Sequence, residues 1–117
     1  LEIKHGRAET FAKNNKYREK YDLVLSRAVA PLNILAEYTL PFTSKNGLLY
    51  FFKGPDYKKE IKNSKNSFKK LGGKHIDTIE LKIPGLDAER YLLIYKKVKN
   101  TSKKFPRRAG IPKKRPL

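Results

Sequence analysis

Two unbroken apolar runs, Leu23-Val24-Leu25 and Leu48-Leu49-Tyr50-Phe51-Phe52, constrain this chain more than any other feature. A strand with one wet face alternates apolar and polar residues, whereas a strand covered on both faces is apolar throughout. The runs therefore predict strands over 21–26 and 47–53 in a parallel sheet covered by helices. What lies between and after them has helical spacing. Pro31 suits a first helical turn, Leu32, Leu35, Ala36 and Thr39 recur at helical intervals, and Pro41 ends the pattern. Asp56 is placed to cap a second helix with a stripe of Tyr57, Ile61, Ser64, Phe68 and Leu71, lysines on its other face, and Gly72-Gly73 at its end. Leu1-Glu2-Ile3-Lys4-His5 alternates as a strand does. Ile79, Leu81 and Ile83 alternate as well, 84–90 is loop-like, and 91–98 is a last strand, so an antiparallel pair closes an otherwise parallel sheet. The order of elements is α/β.

Composition limits the class. A chain of 117 residues, 38% hydrophobic, builds one core rather than two. Without cysteine there is neither a disulfide framework nor a thiolate zinc site, and a reducing cytoplasm is the expected compartment. No apolar run has the length of a membrane span. The formal charge of +17, from 28 Lys+Arg against 11 Asp+Glu, implies a polyanionic partner. That excess is uneven: residues 1–57 carry nine basic and six acidic side chains, while 96–117 carry ten basic and none acidic. From Lys99 onward apolar periodicity stops, and Pro106, Gly110, Pro112 and Pro116 oppose regular structure. The expectation is a folded body, 1–98, and a mobile basic tail, 99–117.

Conventional catalysts are scarce. His5 and His75 lie far apart, each on an expected strand, and suit structural or solvated roles. No histidine and carboxylate spacing suggests a metal. Ser26 has no neighbouring base, and Lys53-Gly54-Pro55 lacks the glycine pattern of a phosphate loop.

Three stretches carry a resemblance: His5-Gly6-Arg7-Ala8-Glu9, then Tyr21-Asp22-Leu23-Val24-Leu25-Ser26-Arg27-Ala28-Val29-Ala30-Pro31-Leu32, then Gly47-Leu48-Leu49-Tyr50-Phe51-Phe52-Lys53-Gly54. In order and spacing they resemble the later half of the RsmG family, also called glucose-inhibited division protein B. Glu89-Arg90-Tyr91-Leu92-Leu93-Ile94 and Lys103-Lys104-Phe105-Pro106-Arg107-Arg108-Ala109-Gly110 fit its longer members too. The resemblance implies the later half of a Rossmann-like class I SAM methyltransferase: a mostly parallel sheet with an antiparallel final strand pair, the first two strands and the glycine-rich loop absent. It implies transfer of a methyl group from S-adenosyl-L-methionine to a guanine of small-subunit ribosomal RNA, giving 7-methylguanosine, with the half alone inactive. Position seven of guanine offers an unprotonated lone pair, so positioning replaces acid and base chemistry.

The resemblance places Ala8 and Glu9 at the end of the first strand on the adenosine side of the cofactor, and Arg27 at the cofactor pocket after the second. Lys53 and Arg90, at strand ends, are candidates for RNA phosphates. Lys103, Lys104, Arg107, Arg108, Lys113, Lys114 and Arg115 would add salt-sensitive affinity for ribosomal RNA or the ribosomal subunit, with Phe105 stacking on a base or anchoring the tail. With its neighbours absent, the strand edge would be open to self-association. Two other readings remain: a non-catalytic, ribosome-associated RNA-binding module, and adhesion to an anionic membrane, which the tail's lack of an apolar helical face disfavours.

Overall fold

The computed structural model of the protein describes residues 3–27, 30–82, 84–85 and 89–117. Its centre is a four-stranded sheet of β1 (Tyr21–Ser26), β2 (Thr43–Lys53), β3 (Gly73–Leu81) and β4 (Arg90–Lys97), in the order β1-β2-β4-β3. β1 and β2 pair in parallel, and β4 lies antiparallel between β2 and β3. The expected parallel pair and antiparallel closing pair are both present. The last strand inserts inside β3, however, so three strands run one way, one opposes them, and the sheet is mixed.

Helices α2 (Leu32–Thr39) and α3 (Tyr57–Leu71) form where the helical spacing places them. A 3-10 turn, Leu40–Phe42, carries α2 past Pro41 into β2. Gly72 ends α3 with φ at +93°, a left-handed conformation that glycine adopts without penalty. Asp56 occupies the cap position of α3, but its side chain makes no capping hydrogen bond. Both helices cover one face of the sheet. Leu32, Leu35, Ala36 and Leu40 meet Phe68 and Leu71 from α3, Leu49 and Phe51 from β2, and Leu93 and Tyr95 from β4. The ring of Phe51 packs edge-on against Phe68 and Tyr95, which stack on each other. No described element covers the other face of β1: Leu23 and Leu25 are 49% and 59% exposed. The β1 run is thus buried from one side only, whereas Leu48, Tyr50 and Phe52 of β2 are half-buried.

Two expectations fail. Residues 3–5 form no strand, because no described strand offers a ladder partner; residues 1–2 lie outside the described part. The segment after Lys99 is not a free tail. It crosses the helical layer as a strap, with Phe105 buried in the core and a short helix α4 (Ile111–Lys114) near its end. Thr101 Oγ1 donates to the Leu71 carbonyl, and Ser67 Oγ to that of Leu117. The Arg18 guanidinium donates to the carbonyls of Thr101, Ser102 and Phe105. These bonds satisfy the strap's polar backbone where proline prevents a ladder.

Candidate functional site

Parallel strands that end together under helix N-termini make the rim where open α/β sheets take ligands. Here β1 ends at Ser26 and β2 at Lys53, and antiparallel β4 begins beside them, Lys53 pairing with Tyr91. Arg27, Lys53 and Arg90 are thereby brought to one rim, as the sequence predicts.

Their surroundings differ. Arg27 is exposed; its carbonyl accepts from Ser26 Oγ at 3.1 Å, and its guanidinium makes no hydrogen bond or ion pair among the described residues. Arg90 is exposed, and among the described residues its guanidinium donates to the Glu89 carbonyl alone. Lys53, by contrast, is 4% exposed; its ammonium donates to the Ala30 carbonyl at 2.7 Å and pairs with Glu60 at 2.9 Å. The same Glu60 oxygen accepts the N–H of Leu32, the first residue of α2. Lys53 is therefore a fastener for the loop leaving β1 and not an open phosphate contact. Burial of a cation is tolerated only with such partners.

The cofactor-side pair is also rearranged. Ala8 and Glu9 begin a short helix α1 (Ala8–Phe11) instead of ending a strand. The Glu9 carboxylate is 3% exposed and accepts the Gly110 N–H at 2.8 Å and the Arg7 guanidinium at 3.2 Å. Burial pushes its pKa up, but the Gly110 and Glu9 backbone donors and Arg7 outweigh that and hold it below the ordinary value. Glu9 acts electrostatically on Tyr38, whose pKa is raised by burial first and by this carboxylate second. Tyr38 lies six residues into α2, about 9 Å along its axis from Leu32, so Glu9 and Arg27 sit towards opposite ends of that helix. Fit to a cofactor as long as S-adenosyl-L-methionine is accordingly one-sided. The Arg27 rim is open to it, the Glu9 carboxylate is occupied by the strap, and the described residues do not wrap such a ligand.

The basic residues of the strap divide likewise. Lys103, Lys104, Arg108, Lys113, Lys114 and Arg115 are exposed. Arg107 is not free: its guanidinium bonds to Glu37 at 2.9 to 3.2 Å and donates to the Arg115 carbonyl, while its backbone N–H meets Glu37 at 2.7 Å. Phe105, buried, serves as the anchor and not as a stacking platform. Glu37 and Ser67, which hold the strap, belong to the later halves of α2 and α3, so its cations lie away from the Arg27 rim. Glu37 and Glu60 were not singled out from the sequence. The signal for Glu37 was available: a carboxylate next to Ala36 in a helix whose other residues are mostly apolar needs a cationic partner. His75 lies on β3 and bonds to Thr78, and His5 lies on no strand. Among the described residues no group of histidines and carboxylates could hold a metal, and no helix is long and apolar enough to cross a membrane.

Comparison with known proteins gives a consistent picture. The family model described as rRNA small subunit methyltransferase G matches residues 1–92. Proteins named "Ribosomal RNA small subunit methyltransferase G" from Lactobacillus helveticus (strain DPC 4571) and Thermoanaerobacter pseudethanolicus are 47% and 46% identical over all 117 residues. One from Clostridium novyi is 47% identical over the same span. This chain covers 49%, 49% and 48% of those relatives, about half the length of each. Among solved structures, M. jannaschii TYW2 in complex with AdoMet aligns with 74% of this chain and 43% of its own, at 16% identity and a TM-score of 0.49.

Proposed function

Because the chain belongs to the rRNA small subunit methyltransferase G family, we propose that it forms the later half of a cytoplasmic enzyme that methylates small-subunit ribosomal RNA. The methyl donor is S-adenosyl-L-methionine and the acceptor is position seven of a guanine. Supporting this reading above all is the family match over residues 1–92. Arg27, an unpartnered cation at the strand-end rim, adds to it.

In this reading the cofactor supplies the reactive methyl group. This chain's residues orient and hold: Arg27 faces the ligands at the rim, the Lys53–Glu60 pair fixes the loop behind it, and the backbone of Ala8 and Glu9 borders the adenosine side. Arg90 and the exposed cations Lys103, Lys104, Arg108, Lys113, Lys114 and Arg115 hold RNA phosphates without reading sequence. With only one side of a cofactor contact in the described residues, the isolated 117-residue chain does not turn over. Its β1 edge, terminal in the described sheet and with Tyr21, Leu23 and Leu25 exposed on one face, adds a strand from a second copy; a monodisperse monomer by light scattering at high concentration counts against that pairing.

The test is transfer of labelled methyl from S-adenosyl-L-methionine to small-subunit ribosomal RNA by the protein at its natural length, with and without Arg27→Ala. Loss of most of the transfer in the variant supports the assignment, and unchanged transfer refutes the role of Arg27. A second reading, an RNA-binding module without catalysis, draws on the exposed strap cations. It is favoured if the natural-length protein binds RNA tightly and transfers no methyl group.

A further inference from the structure

α3 carries two rows of side chains with different fates. Ser64, Phe68 and Leu71 are buried against the sheet. Lys62, Lys65 and Lys69, three and four positions apart, form a second row beside that stripe. This row lines a groove of about 640 Å³ between α3 and the start of β3, and Lys74 and Lys99 line it too. All five lysines are exposed, and none of their ammonium groups meets a carboxylate or carbonyl among the described residues. Among the described residues no acidic side chain lines the groove. Its floor is apolar and aromatic: Phe68 and Tyr95 stack with ring centres 3.9 Å apart, His75 lies 5.1 Å from Tyr95, and Val98 is exposed at the margin.

The groove is separate from the Arg27 rim. It sits where β3 begins and β4 ends, and β3 runs in the same sense as β1 and β2, whose far ends form the rim. Lys99 also opens the strap, so the groove and the strap's exposed cations lie at the same end of the sheet.

Five unopposed like charges around one concavity repel one another, and an anion entering between them relieves that repulsion. The floor adds a condition that a small anion does not meet, a place for an apolar, ring-shaped group. We propose that this groove is a second RNA-binding surface, in which Lys62, Lys65, Lys69, Lys74 and Lys99 hold phosphates of a single-stranded segment while a base lies against His75 and Val98. The proposal rests on the ribosomal RNA reading above and adds to it a contact remote from the methylation rim. A lipid surface fits less well, because peripheral binding needs an outward apolar face and this one is concave and ringed by lysine.

Each phosphate neutralised on a single strand contributes about 0.7 to the slope of log K against log salt. The protein at its natural length is titrated with a labelled single-stranded oligonucleotide from small-subunit ribosomal RNA at several salt concentrations. The triple variant Lys62→Gln/Lys65→Gln/Lys69→Gln should flatten the slope by about 2, and the triple Lys→Arg variant should keep it. The control Lys59→Gln/Lys70→Gln, two exposed lysines of α3 that do not line the groove, should leave it unchanged. An unaltered slope in the triple Gln variant overturns the proposal, as does an equal drop per lysine in the control, which would show a diffuse field. Binding to phosphatidylserine vesicles that the triple Gln variant abolishes, with the RNA slope unmoved, reassigns the groove to lipid and overturns it too. A wild-type protein that transfers no methyl group to RNA refutes the catalytic reading and leaves the slope comparison to decide the groove.

Discussion

Removing the Arg107 guanidinium should release the strap. Its partner Glu37 has a side chain 1% exposed, and apart from Arg107 no described residue bonds to that carboxylate. Arg107→Ala leaves it with the single backbone N–H at 2.7 Å. Stripping a buried charge of its partner costs about 3–5 kcal/mol. Because Arg107 is itself 27% exposed, water reaches the vacated site, and the lower end, about 3 kcal/mol, applies. That is roughly a hundredfold in the docking equilibrium. Urea unfolding gives the global loss, and trypsin cleavage after Lys104, beside the buried Phe105, gives the local one. Adding Glu37→Gln removes the stranded charge, so the double variant should recover at least 1 kcal/mol or so relative to Arg107→Ala. Equal stability within about 1 kcal/mol for Arg107→Ala, with an unchanged cleavage rate, would refute the claim that this pair clamps the strap.

Three further outcomes follow from buried or strained positions. Lys53→Gln should lower stability by about 2 kcal/mol, since Glu60 and the Ala30 carbonyl lose a charged donor; urea unfolding reads this, and the salt slope of RNA binding should not move. Glu9 has a depressed pKa, so its contribution is complete above the unfolded value near 4.5 and is lost as pH falls through the lower folded value. The protection factor of the Gly110 amide proton, its intrinsic exchange rate at each pH divided by the rate observed by NMR, should then fall as pH is lowered towards about 3. Burial lowers the Lys97 pKa to about 8 from 10.5, with Glu19 opposing, so stability rises with pH across that interval. Relative to Lys97→Met, the wild type should gain about 2 kcal/mol between pH 7.5 and 10 in urea unfolding.

The helices were legible because Leu32, Leu35 and Ala36, or Ile61, Ser64 and Phe68, are set by the side that packs on the sheet, and packing writes a period into sequence. β2 was legible only in part. It begins at Thr43, five residues before its apolar run, because Thr43 pairs with Tyr21 across an irregularity before Leu23. Lys45-Asn46 hides this stretch, with Asn46 at φ +71° resembling a turn. The strap was illegible for a different reason. Its order comes from Arg18, Glu37 and Glu9 reaching its backbone from far along the chain, and such bonds leave no periodic trace. Of the candidate site, the strand-end positions of Arg27, Lys53 and Arg90 follow from the strand pattern. Which of the three is open depends on Glu60, which approaches from α3 and leaves no mark in the local sequence.

Net charge therefore overstates the surface available to a polyanion. Lys53, Lys97 and Arg107 are all spent internally, and so is Arg18. Lys97, for instance, donates to the carbonyls of Leu40 and Thr43, closing the turn that joins α2 to β2. In each case the cation binds carbonyls in loops or at the ends of elements and so ties those connections to the sheet and helices. The groove lysines Lys62, Lys65, Lys69, Lys74 and Lys99 and the exposed strap cations make no such bonds among the described residues. The salt dependence of RNA binding should consequently follow those exposed groups and not the total of 28 basic residues. Substituting the internal cations should be read in unfolding experiments, and substituting the exposed ones in titrations. A basic residue that moved both measurements by comparable amounts would contradict this division.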